Sequence, residues 1–258
     1  MGLFLFFLFY VIENIYLRTY KKPIVVFANV SFFQINDSQR QILYQNFHFY
    51  TRLKPQYKRY FEHRVANFIN RYEFVGRDIS VTDEIKVTIA GTAIMLTFGM
   101  RDYLNPLFKR IIIFPDIYYS DLTENFHKGE FNPGLKSIVF SWKHFKEGIQ
   151  ITNDNLNLGL HEFTHAFHIH SLKSNKASSV LFNVSLQDLF KVVSNSQIKE
   201  QLITSGFLRD YAYENQFEFV AVLLEYFFES PQEFKTKFPS IFIKVKHMIN
   251  YNENYFNS

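Results

Sequence analysis

The chain of 258 residues contains no cysteine. That excludes disulfides, thiolate metal ligands and a cysteine nucleophile. Any metal must then be held by histidine, carboxylate or water. Glycine and proline are sparse, at nine and seven residues. No internal repeat, low-complexity tract or Gly/Ser linker follows residue 24, so one folded domain is expected there. An excess of one charge is also missing. The formal net charge is only +4, with no basic stripe interleaved with aromatics, and no nucleic-acid partner is expected. What is abundant is apolar and aromatic: 47% hydrophobic residues, with 32 Phe and 16 Tyr. Such a chain can bury a core and is not disordered.

The one long apolar run is at the start, Gly2 to Ile12 (GLFLFFLFYVI). As a helix it rises only about 16 Å, short of a hydrocarbon core of roughly 30 Å. Extension to Tyr20 reaches spanning length but buries Glu13. No positive charge precedes the run and no small-residue cleavage site follows it, so it does not read as a secretory signal. Arg18, Lys21 and Lys22 follow it, which by the positive-inside rule keeps the rest of the chain in the cytoplasm. Residues 1–24 are read as a hydrophobic segment and candidate anchor, with membrane contact through residues 2–20. Residues 25–258 are read as the catalytic domain. The alternative is a plain cytosolic protein whose first helix docks on its own surface.

Periodicity places a helix over Gln39 to Asn70, broken at Pro55, and another from a Thr82 cap to about Phe98. Phe74 to Ser80, Arg110 to Phe114 and Lys136 to Ser141 read as short strands. Helices follow to about Ser205 and over Gln216 to Phe228. Ser230-Pro231-Gln232-Glu233 reads as a capping box with Pro at the first helical position. The fold class expected is α+β, mainly helical with a small sheet.

Between the last strand and those helices lies His161-Glu162-Phe163-Thr164-His165. Two histidines four apart on a helix project from one face, and Glu162 flanks that face as a candidate general base. Leu160, Phe163, Thr164 and Phe167 form a neighbouring stripe for the core, while His168 joins the histidine side. Asn153, Asp154 and Asn155 are N-cap candidates. A catalytic zinc commonly takes three protein ligands. A third histidine at 171 is absent, since that position is Ser171. Glu218, Glu225 and Glu229 share one face of a very apolar helix, where an acid needs a partner or a metal. Both Glu218 and Glu225 fit on spacing. Tyr211, seven residues before Glu218, is a candidate oxyanion donor.

The chain resembles the zinc-dependent peptidases typified by Mlc titration factor A, the MtfA family. The similar stretches are VTDEIKVTIAGTAIMLTFG (81–99), RIIIFPDIYYS (110–120), KSIVFSWKHFKEG (136–148), LHEFTHAFH (160–168) and DYAYENQFEFVAVLLEYFFESPQEFKTKFPSIF (210–242). They run in the same order over roughly residues 40 to 250. The resemblance implies a bacterial hydrolase with a zincin-like core similar to that of anthrax lethal factor. It implies one Zn2+ held by His161, His165 and Glu218, with Glu162 as base and Tyr211 as oxyanion donor. A zinc-activated water then cleaves a peptide or protein substrate. The family often has Leu-Asp where this chain has Phe167-His168, which makes His168 a candidate alternative ligand. The rival expectation is a repressor-sequestering module with a regulatory protein partner and a vestigial metal site. By analogy with zincin folds, Ile138 to Ser141 is expected to be an edge strand that pairs with substrate.

Overall fold

A computed structural model describes residues 2–27, 33–120 and 123–257. In chain order the elements are α1 (Gly2–Tyr20), α2 (Asp37–Asn46), α3 (His48–Arg52), α4 (Pro55–Arg71), β1 (Glu73–Gly76) and α5 (Asp83–Thr97). Strands β2 (Arg110–Phe114), β3 (Tyr118–Ser120), β4 (Asn125–His127), β5 (Gly129–Asn132) and β6 (Ser137–Ser141) follow. Then come α6 (Trp142–Gln150), α7 (Leu158–Leu172), α8 (Ala177–Val193) and α9 (Ser196–Thr204). A 3-10 turn, Asp210–Tyr213, leads into α10 (Gln216–Glu229), α11 (Pro231–Lys237) and α12 (Pro239–Met248). This is the mainly helical α+β fold expected.

Cα proximity divides the chain into two compact units, with the division falling inside α7. One holds residues 29–96, 104–167 and 253–258. Its four-stranded sheet has the order β1-β2-β6-β5. β1, β2 and β6 are parallel, and β5 runs antiparallel to β6. β6 is buried at every residue. It is therefore an interior strand, and the expectation that Ile138 to Ser141 forms an edge is corrected. The edge beside it is β5 (GEFN), whose polar, glycine-led sequence carries no apolar alternation and so gave no strand signal. The histidine helix is seated here by Phe163, whose ring packs at 5.5 Å from Phe140 and edge-on at 5.9 Å from Phe68. Such aromatic contacts bury large apolar area while fixing ring orientation.

The expected helix over Gln39 to Asn70 is three helices. Phe47 interrupts it in extended conformation, while Pro55 opens α4 at its first position. A missing N–H costs nothing there. Thr82 does begin α5, accepting from Ile85 N at 3.3 Å.

The other unit holds residues 1–28, 97–103 and 168–252. Helix α8 packs against α12 and α1. α1 docks through buried Leu17 and through Glu13, which accepts from both Arg101 guanidinium nitrogens at 2.9 and 2.7 Å. Its Phe4, Phe7, Ile12 and Ile15 are exposed. Among the described residues no helix is long and apolar enough to cross a membrane. Ser230 precedes α11 with Pro231 at its first position, but its side chain makes no capping bond. Glu233 is drawn instead to Lys237 at 2.7 Å, one turn on. The expected capping box is thus absent.

Candidate metal centre

Helix α7 is entered through Asn157. Its Oδ1 accepts from Leu160 N at 3.0 Å, its carbonyl accepts from His161 N at 2.9 Å, and its amide donates to Gly148 O at 2.7 Å. Asn153, Asp154 and Asn155, the expected caps, lie in the preceding loop. Asp154 caps its own turn by accepting from Leu156 N, and Asn155 has a left-handed φ of 57°. The cap thus sits on the first residue past that turn whose side chain can reach the orphan N–H groups.

From that start, His161 and His165 meet with Nε2 atoms 3.0 Å apart and rings almost perpendicular, at 88°. Two imidazoles bound to one tetrahedral ion at about 2.0–2.1 Å would have nitrogens roughly 3.4 Å apart. The pair needs little adjustment to reach that spacing. One ligand atom each from His161, His165 and Glu218 lie within 4.8 Å of one another, a group that could hold a metal ion. His161 is buried and the other two are half-buried. Two nitrogens and one carboxylate oxygen suit a zinc-type centre with a position open to solvent.

Glu162 is buried, and its Oε2 accepts from Phe131 N at 2.9 Å. Lys128 O accepts from Ser141 N, and the register pairs Glu130 with Val139. Main-chain groups of Phe131 therefore face away from β6 and toward Glu162. Gly129 makes room for that carboxylate. A Cβ there would sit 2.7 Å from Leu158 Cδ1 and 3.1 Å from Glu162 Cγ. These β5 contributions were invisible in the sequence, since a backbone N–H carries no residue signature.

Helix α10 is capped by Asn215, whose Oδ1 accepts from Phe217 N at 2.8 Å and Glu218 N at 3.1 Å. Glu218 is thereby set in the first turn. Glu225, two turns on, is only 1% exposed. It accepts from Arg209 Nη2 at 2.7 Å and Nη1 at 3.1 Å. The sequence treats the two acids alike, and Arg209, a residue with no motif around it, pairs with Glu225 alone of the two in the bonds just given. Glu229 is half-buried and lies outside the group. His168 is buried with its ring 4.5 Å from Phe217 and 5.4 Å from Phe182, and it too lies outside the group. Tyr211 is on the 3-10 turn and 41% exposed.

Histidines on one helix and a carboxylate on another are a donor set of the kind metallopeptidases use. Residues 27–249 match the glucose-regulated metallo-peptidase M90 family, and the chain belongs to it. This is the family of Mlc titration factor A. Uncharacterized protein slr2042 of Synechocystis sp. (strain ATCC 27184 / PCC 6803 / Kazusa) is similar, at 24% identity over 208 residues. That stretch covers 72% of this chain and 73% of the relative.

Proposed function

We propose that the chain is a zinc-dependent peptidase, with His161, His165 and Glu218 as the ligands of one zinc ion. The proximity of their ligand atoms carries this reading. Zinc, when bound there, supplies Lewis acidity that polarises a carbonyl and acidifies water. Glu162 takes the proton of the attacking water and delivers it to the leaving amine. Its bond to Phe131 N fixes the orientation of the carboxylate. Tyr211 donates to the oxyanion of the tetrahedral intermediate, where a positioned donor is worth most. An extended peptide substrate would lie along β5, whose outward main chain already reaches Glu162.

The test is metal analysis and peptide-library cleavage on one purified sample. The expected result is one zinc per chain and chelator-sensitive cleavage. Glu162→Gln should keep the zinc and lose turnover by about 10²–10⁴-fold, the usual worth of a general base. Cleavage by Glu162→Gln at the parent rate would remove the base assignment. Stoichiometric zinc without cleavage of any peptide would favour a regulatory binding module instead.

A further inference from the structure

The sequence marks Glu225 as an acid that must be answered, yet the peptide-cleaving chemistry does not use it. It lies in the most apolar part of α10, between buried Leu224 and Tyr226 and seven residues from Glu218. Its partner Arg209 is the residue that starts the 3-10 turn carrying Tyr211. The fork is bidentate, and the Arg209 main chain also bonds to the Tyr226 hydroxyl. The guanidinium carbon lies 5.9 Å from the centre of the Tyr211 ring.

These contacts tie both ends of the turn to one helix. Arg209 fastens its start to the third turn of α10, and Asn215 fastens its end to the first. Tyr211 lies between the two anchors, so its place is measured from the same rigid element that carries Glu218. The turn is otherwise seated by buried Ala212 and by Tyr213, whose hydroxyl donates to Leu202 O at 3.1 Å. Ala212 and Tyr213 also border a cavity of about 510 Å³, lined further by Phe190, Leu202 and Phe219. On the side away from that cavity, the ion pair adds a directional restraint to these contacts. A bidentate arginine–carboxylate pair fixes angle as well as distance.

We propose that Arg209 and Glu225 are positioning residues, whose part-buried ion pair holds the Tyr211 phenol in register with Glu218. This rests on the reading of Tyr211 as oxyanion donor. A donor displaced by about 1 Å forfeits much of its effect on the transition state while leaving ground-state binding alone.

The activity test uses Glu225→Gln, Arg209→Lys and the apolar pair R209M/E225L, each alone and combined with Tyr211→Phe, in the zinc-loaded full chain. The apolar pair guards against misfolding, because replacing both members of a buried pair is often neutral for stability. Each should lower kcat by about 10–100-fold with KM and zinc content unchanged, and should cost nothing further once Tyr211 is Phe. Arg209→Lys, which keeps the charge but not the fork, should fall between parent and apolar pair. Losses that simply add in the Tyr211→Phe background would overturn the proposal, as would parent kcat in the apolar pair. A second measurement is independent of cleavage. With 3-fluorotyrosine at position 211 of the metal-free chain, Glu225→Gln should shift or broaden the fluorine resonance. An unchanged resonance overturns the clamp even if the parent cleaves nothing, and parent inactivity alone would sink only the peptidase reading.

Discussion

Glu218 and Glu225 lie on the same face of one helix, seven residues apart, and their fates differ. Glu218, in the first turn, is grouped with two histidines. Glu225, two turns deeper, is neutralised by Arg209. Composition and periodicity treat the two alike. What separates them is what the rest of the chain brings to each position, two histidines to Glu218 and an arginine to Glu225. A buried carboxylate needs a positive partner, and an arginine satisfies that need as fully as a metal does. Glu13 on α1 is a third case: an acid within an apolar helix, 4% exposed and held by Arg101.

The comparison breaks most sharply at Glu218. Glu218→Gln should reduce zinc to well below one per chain and bring peptide cleavage to background, with little change in Tm of the metal-free chain. A full complement of zinc in that variant would mean the third ligand lies elsewhere. Glu225→Ala should do the reverse. Its Arg209 would be left without its counter-charge, at a cost of about 3 kcal/mol, read by denaturant unfolding, while zinc still binds. Glu13→Ala should cost less, about 1–2 kcal/mol, because α1, exposed at Phe4, Phe7, Ile12 and Ile15, can open locally without unfolding the rest. Equal losses at positions 13 and 225 would show that α1 is as integral to the fold as α10.

The smallest effect expected belongs to three histidines whose burial outweighs any acid nearby, Asp102 at His170 and Asp188 at His247 included. His63, His170 and His247 have pKa values held below the ordinary histidine value, chiefly by burial. Nearby cations add to this at each: Arg64 at His63, Lys176 at His170, and Lys244 at His247. The folded state then prefers the neutral imidazole, so the unfolded chain binds more protons below about pH 6.5. Their contribution is complete above that pH and is lost as pH falls through the lowered folded values. Tm of the metal-free chain should therefore decline between about pH 6.5 and 5. A flat or rising Tm over that range would contradict it.

The sequence by itself determined the histidine helix, because its periodicity and spacing are local properties of one helix turn. It also determined the mainly helical α+β class, and offered Glu218 and Glu225 as candidate third ligands with His168 as an alternative. Only the tertiary structure grouped Glu218 with the histidines and paired Glu225 with Arg209, because these residues meet through folding rather than through chain neighbourhood. It likewise decided that β5 rather than β6 is the edge. It also brought the Phe131 N–H to Glu162, a backbone group that every residue except proline carries and that only its position in the fold makes distinct.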